Sequence, residues 1–393
     1  MKEIYSDINI IGGGLIGAAA AFSLSKLGFK ISLLEKNTIH TNKKYLTDYR
    51  TVAISEGTKN FLEKMDIWKN LKKHSEAIKR IKIIDRKPSN ILDFDNSRRG
   101  SNLGYIIKNH QMLNIFYNKL EKMKNVRIID NAKILNTENS NDTIITYGKK
   151  FKVLADLNIA ADGKNSFVKK INKTLSFDKN YKKNALVIIF SHTHSHENTA
   201  YEFFYKNGPL AILPMRSENQ NYTSSIVWTN ETHYIDSLKA LKKNKLISIL
   251  NEMTIGVVGN VKQIQSIQSF PITAHINSKS YEKRTVFIGD SAHSVHPIAG
   301  QGWNLGMKDL EALYQISKTY SSLGISLGGH YFCKNYHNQT FYKAYRLYQV
   351  TDKLDSFFQL ENPTSYLIRK TGSKFIQNNK WLKNLISDFA MGY

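Results

Sequence analysis

A chain of 393 residues with 41% hydrophobic and 11% aromatic side chains can bury one large core or two smaller ones, which excludes a disordered protein. Its one cysteine, Cys333, excludes an intramolecular disulfide and a cysteine-built metal site and fits a reducing, cytoplasmic setting. The formal net charge of +24 comes mostly from lysine in a sequence crowded with Asn, Ile and Tyr. An AT-rich gene imposes that composition on solvated positions, and attraction to an anionic membrane surface is the functional reading beside it. Nucleic acid is set aside, because no basic motif is interleaved with aromatics. The N-terminus passes into a predicted strand at once and leaves no room for a signal peptide. No apolar run approaches the ~18 residues that cross a bilayer.

Residues 8–11 are rich in isoleucine and lead into Gly12-Gly13-Gly14-Leu15-Ile16-Gly17 and an alanine-rich helix over residues 18–27. A second strand, residues 30–34, closes with Glu35. In this strand–turn–helix–strand unit Gly12 makes the tight turn, and Gly14 lets a pyrophosphate approach the backbone. Gly17 lets helix and strand pack closely, and Glu35 is placed to accept from a ribose. The pattern predicts dinucleotide binding and does not separate FAD from NAD. Arg50 follows in a segment that should lie beside the pyrophosphate, ahead of an amphipathic helix through Trp68. Residues 78–94 suggest strands outside the nucleotide unit, and a helix is predicted over residues 109–123.

A short strand, residues 157–161, ends in Asp162-Gly163 before a basic helix, a corner that suits an anion and that an ordinary turn would also produce. Strands at residues 185–191, 200–205, 210–213 and 224–228, joined by short turns, predict an inserted antiparallel sheet. His192, His194 and His196 would face one way if extended, but no acidic or cysteine ligand accompanies them, so a polar sheet-edge loop is preferred to a metal site. Residues 285–288 read as a buried strand that delivers Asp290 at its end. His293 and His296 read as local support. The turn Pro297-Ile298-Ala299-Gly300-Gln301-Gly302 then opens a helix, whose positive start suits a ligand able to become anionic. The remainder is predicted helical. Residues 375–389 carry an apolar stripe, Phe375, Leu382, Leu385, Ile386 and Phe389, on one basic amphipathic helix with Trp381 near its middle. That helix either packs on its own protein or docks on a membrane or partner.

Together these motifs resemble the FAD-dependent aromatic hydroxylases of the para-hydroxybenzoate hydroxylase group. Within it the wording is most similar to the ubiquinone-biosynthesis hydroxylases. The phrases are Asp48-x-Arg50-x-x-Ala53-Ile54-Ser55, Glu202-Phe203-Phe204 with Gly208-Pro209-Leu210-Ala211-Ile212-Leu213-Pro214, and Ser225-Ile226-Val227-Trp228. His296-Pro297-x-Ala299-Gly300-Gln301-Gly302-x-Asn304-Leu305-Gly306 is the most specific, and Thr351-Asp352-x-Leu354 and Ala390-Met391-Gly392 carry the likeness to the C-terminus.

The resemblance implies an α/β fold: a Rossmann-like FAD-binding domain (residues 1–75, 100–180 and 275–330), an inserted mainly antiparallel substrate sheet (76–99 and 181–274) and a helical C-terminal segment (331–393). It implies Gly12, Gly14 and Gly17 at the FAD pyrophosphate, Glu35 at the adenosine ribose, and Arg50 and Asp162 near the pyrophosphate. Asp290 falls at the ribityl chain, and Pro297, Gly300, Gln301, Gly302 and Asn304 at the isoalloxazine ring. Asn109 matches a further FAD-contacting position, although His110 stands where the family commonly has arginine. Trp303 is bulkier than the family residue, which would narrow the flavin site. The implied reaction is hydroxylation of a polyprenylated phenol, with NAD(P)H as electron donor and O2 as co-substrate. No catalytic base is legible. Peripheral contact with an anionic inner membrane and with other quinone-biosynthesis enzymes is implied, without metal or nucleic acid. The alternatives are a hydroxylase of a small soluble phenol, a flavin reductase acting on prenyl chains, and a flavoprotein scaffold in a quinone-synthesis assembly.

Overall fold

The computed structural model describes residues 1–39, 48–85, 91–95, 101–140, 142–217, 221–254, 256–360 and 362–391. Gly392 and the side chains of Ala299, Phe389 and Ala390, quoted above, lie outside what it describes.

Five parallel strands form the centre of the cofactor half. Lys2–Ile11 lies between Phe151–Ala160 and Ile31–Leu34, with Thr285–Phe287 beyond the first and Val126–Ile129 beyond the second. The alanine-rich helix Leu15–Ser25 covers this sheet because its small side chains admit close approach, and Ala18 to Ala21 are fully buried. Glycine does the same at Gly17, where a Cβ would strike the Gly12 carbonyl. Parallel strands carry their loops to one edge, so Gly12, Glu35, Asp162 and Asp290 all emerge at the carboxyl ends of neighbouring strands. In open α/β sheets that edge binds the ligand.

The second large sheet has eight strands and is mostly antiparallel, centred on Ser176–His192, Tyr222–Glu231, Gly208–Met215 and Thr199–Tyr205. Two of its strands depart from the sequence pattern, one longer than expected and one unforeseen. Ser176–His192 begins nine residues early, and Val261–Asn277, paired along it, had no clear alternation because many of its residues are half-buried. The segment 78–94 divides: Glu76–Ile78 joins a three-stranded sheet with Thr51–Ser55 and Gly104–Lys108, whereas Arg80–Asp85 and Ile91–Asp95 extend the large sheet.

Alternate residues of the large sheet serve two cores. One face, with Ile188, Ile212, Ile226 and Trp228, packs on helices Thr232–Ala240 and Lys243–Thr254 through Ile235, Leu238, Leu246 and Leu250. The other, with Ile189, Ala200, Leu213 and Met215, packs toward the cofactor half through Ala53 and Ile106, and toward the C-terminus through Ile386 and Met391.

The C-terminal prediction needs one correction. Residues 375–389 do not form one helix: Pro363–Asn378 ends, Asn379 turns extended, and Lys380–Met391 restarts. Asn379 itself breaks the helix, because its side-chain oxygen accepts from the Leu382 amide (3.0 Å) and caps the next helix.

Candidate functional site

Three chain segments distant in sequence are locked together where the parallel strands end. A Cβ on Gly12 would run into the backbone of Ala161 and Asp162. A Cβ on Gly289 would lie 3.1 Å from Ile16, and one on Gly306 would lie 2.8 Å from Ile16 and 3.1 Å from the Gly289 Cα. The glycine turn, the Asp162 corner and the Gly289-Asp290 loop therefore share one cradle. Gly14 and Gly302 differ: a side chain there would meet no protein atom within 4 Å. Gly14 and Gly300 both stand at helix N-termini without a side-chain cap, so amide groups and positive dipole ends face the cradle from two directions.

Glu35 is almost fully buried. Its Oε2 accepts from the Gly13 amide (2.8 Å), and Oε1 accepts from the backbone and side-chain amides of Asn37 (2.9 and 2.7 Å). Oε2 keeps a lone pair for one further donor. Tyr117, absent from the sequence reading, donates its hydroxyl to the Gly13 carbonyl (2.7 Å) and fixes the turn from the other side.

Asp290 forms no hydrogen bond to the protein and keeps solvent contact although protein surrounds it. Burial pushes its carboxyl above the usual range, against the opposing pull of His293, Lys164 and Arg50. Its loop is held by Asp309, whose Oδ2 accepts from the Gly289 amide (3.0 Å) and bonds His293 Nε2 (2.6 Å). Burial disfavours the His293 cation, but the Asp309 charge and hydrogen bond win and raise its pKa. Asp309 lies on the following helix with no local signature, so only the fold reveals it. Tyr336 donates to the Phe287 carbonyl (2.8 Å) and ties the helix His330–Gln359 to the same strand end.

Arg50 pairs with Asp48 through two hydrogen bonds (2.8 and 2.7 Å) and lies over the Phe270 ring, 4.9 Å from its centre. That Asp48 bond, ahead of the opposing burial, keeps the guanidinium firmly charged. Asn109 donates to Asp48 (3.3 Å), while its Oδ1 is buried without a partner. His110 Nδ1 lies 3.3 Å from the Asp48 carbonyl, and its ring meets Tyr49 edge-on (6.0 Å).

Two predicted contact residues have structural duties. Asp162 Oδ2 accepts from the Phe167 and Val168 amides (2.7 and 3.2 Å) and caps the basic helix, leaving Oδ1 buried without a partner. The Asn304 amide clamps the strand Thr51–Ser55, accepting from the Ser55 amide and donating to the Ala53 carbonyl, both at 2.9 Å. Trp303 turns into the main apolar core, its Nε1 without a partner.

Between Pro297 and Gln301 the chain makes a short 3-10 turn, Ile298–Gly300, with Gly300 left-handed (φ 60°). The 22-residue helix Gln301–Ser322 then begins. His296, beneath this turn, is fully buried, with its ring edge-on to Tyr181 (4.8 Å) and Nε2 3.6 Å from Asp355. Burial lowers its pKa to about 4, so it is neutral. His293 thus braces the Asp290 loop, whereas both ring nitrogens of His296 are buried without a hydrogen-bond partner.

Of the other histidines, His192 ends the strand Ser176–His192, and His194 and His196 lie in the loop that follows it. His192 and His196 are buried, and His192 Nε2 bonds Ser224 Oγ (2.9 Å). Among the described residues no group of three His, Cys, Asp or Glu is placed to hold a metal ion.

Such a cradle, with two helix starts, a turn-anchoring carboxylate and an open second carboxylate at adjacent strand ends, is that of a dinucleotide-binding protein. A family model described as an FAD binding domain matches residues 5–317, and the chain belongs to that family. It is similar to the ubiquinone hydroxylase UbiM of Neisseria meningitidis, at 26% identity over 99% of this chain and 85% of the relative. It is also similar to the ubiquinone hydroxylase UbiL of Rhodospirillum rubrum, at 25% identity over 98% of this chain and 90% of the relative. Among solved structures, p-nitrophenol 4-monooxygenase of Pseudomonas putida shares the fold, with TM-score 0.78 and 15% identity over 100% of this chain and 98% of that one.

Proposed function

We propose that this FAD-dependent monooxygenase hydroxylates the aromatic ring of a polyprenylated phenol on the way to ubiquinone. The observation that carries the reading is the single cradle built by Gly12–Gly17, Asp162, Asp290 and the Pro297–Gly302 turn. Its wall continues, through Ala53, into the apolar face of the large sheet. The two ubiquinone hydroxylases similar along nearly the whole chain support the substrate class.

Residues 1–75, 100–180 and 275–330 then hold FAD, residues 76–99 and 181–274 hold substrate, and residues 331–393 close over both. Gly12, Gly14 and Gly17 admit the pyrophosphate to the backbone, with Arg50 as the nearby cation. Glu35 Oε2 accepts from the adenosine ribose, and Asp290 accepts from the ribityl hydroxyls. Pro297, Gly300, Gln301 and Gly302 face the isoalloxazine ring. Asn109 and Asp162 each keep a buried oxygen without a protein partner, available to the cofactor, whereas Asn304 positions the turn. Bound FAD supplies hydride acceptance from NAD(P)H and activation of O2. The helix start at Gln301 stabilises negative charge developing beside it. Deleting the gene is expected to abolish ubiquinone and accumulate a precursor lighter by one oxygen, read by mass. Unchanged quinone content would overturn the assignment. With purified protein, NAD(P)H oxidation stimulated by a small soluble phenol and indifferent to a prenylated one would favour the alternative hydroxylase.

A further inference from the structure

Glu202 is a carboxylate among apolar neighbours. On Thr199–Tyr205 it shares a face with Ala200 and Phe204, and its cross-strand partners are Ala211 and Ile83. It makes no hydrogen bond or ion pair, keeps partial solvent contact, and is surrounded by protein. Its strand neighbour Ala200 and its cross-strand partner Ile83 belong to the cluster that packs toward the cofactor half, so its carboxyl leaves the sheet on that face. The register shows what else packs on this face. In the next row on one side, Phe204 stacks on Phe358 (3.7 Å), and Asp85 bonds Arg369 (2.9 Å). On the other side, Ala200 lies in the cluster that takes in Met391 and Ile386. The C-terminal helices thus close both ends of the row that holds Glu202. Ala53, in the same cluster, supports the flavin-side turn: a Cβ on Gly300 would lie 3.3 Å from its Cβ, and its carbonyl accepts from Asn304. Glu202 thus stands on the sheet face that packs toward the strand on which that turn rests.

We propose that Glu202 meets the phenolic hydroxyl of the aromatic substrate and takes its proton. This rests on the hydroxylase reading above and supplies the base that the sequence did not reveal. The O–H bond breaks, the proton passes to a carboxylate oxygen of Glu202, and the electron pair stays on the substrate oxygen and enriches the ring. O2, with electrons from NAD(P)H, supplies the inserted oxygen and a molecule of water. When the ring loses the hydrogen at the new C–O bond, Glu202 returns its proton to the original oxygen. Burial with no counter-charge pushes Glu202 up to about 8, near the pH at which a base for phenol works best.

The test uses the FAD-loaded enzyme, 2-prenylphenol as probe, and Glu202→Gln. Ultraviolet difference spectra above about pH 8 should show the probe's phenol band red-shifted in wild type by its hydrogen bond to the Glu202 carboxylate, and unshifted in E202Q over the same range. In turnover, kcat/KM should fall about 100-fold or more in E202Q and lose its rise near pH 8. Infrared titration of the protonated-carboxyl band of wild type should give a component with a midpoint near 8, absent from E202Q. The wild-type titration needs neither turnover nor the variant and so stands even if E202Q folds poorly. Equal probe spectra and matching pH profiles in the two proteins would overturn the inference alone, as would a carboxyl midpoint in the ordinary range. Wild type that binds no phenol would overturn the substrate reading and this inference with it.

Discussion

His296 and Glu202 give stability opposite dependences on pH. The folded protein holds His296 near 4 against an ordinary 6.5, so it binds fewer protons there than the unfolded chain. Its contribution is fully present above pH 6.5 and is lost as pH falls through about 4. Glu202 is raised from 4.5 to about 8, so its contribution is fully present below pH 4.5 and is lost as pH rises through about 8. Melting temperature measured across pH should lose its acid-side slope in H296Q and its alkaline-side slope in E202Q; slopes unchanged in both would contradict the assigned environments. Gly306 works by volume instead. A Cβ there would press on the Gly289 backbone at 3.1 Å. Gly306→Val should cost ~1–3 kcal/mol in urea unfolding and reduce the flavin retained on purification. Full flavin occupancy would show that the contact can relax.

Among the elements, the helix Gln301–Ser322 depends on the turn before it. Gly300 is left-handed, and a side chain there would also approach Ala53. Gly300→Ala should cost about 1–2 kcal/mol from the backbone alone and weaken FAD binding, checked by urea midpoint and flavin titration. The long glycine phrase made this helix start legible, since glycine before a periodic apolar run is a local signal. The strand Val261–Asn277 was not legible, because its faces are buried by partners that meet it only in the fold. The break at Asn379 was missed for a related reason: the apolar stripe continues in sequence past a residue whose side chain caps the next helix.

At the scale of the whole molecule, a buried ion pair helps to pin the C-terminal helices to the large sheet. Arg369 bonds Asp85 (2.9 Å) and the carbonyls of Phe357 and Leu360, with both charged side chains nearly inaccessible. Arg369→Met leaves Asp85 buried without that cation and should cost ~3–5 kcal/mol. It should also speed tryptic cleavage after residue 360, and an unchanged digestion pattern would mean that the helices are held elsewhere. The same segment exposes Leu367, Ile368, Phe375, Trp381 and Leu385, and no helix among the described residues is long and apolar enough to cross a membrane. An exposed apolar face on a strongly basic chain fits peripheral contact with anionic lipid. Co-sedimentation with phosphatidylglycerol vesicles should fall with added salt and fall further in a Phe375→Ser, Trp381→Ser double variant. Binding equal to that on neutral vesicles would argue against it.

The cofactor motifs were legible in the chain itself because each is local: a glycine turn, a strand end or a helix start needs only its own neighbours to declare its chemistry. Tertiary structure alone decided what supports them. Asp309 under Gly289, Tyr117 on Gly13 and Asn304 on Ala53 are pairings across 20, 104 and 251 residues that no periodicity encodes. It also decided the surroundings of Glu202. In sequence Glu202 is one acid between a tyrosine and a phenylalanine, and only the strand register places it on the sheet face that packs toward the cofactor half.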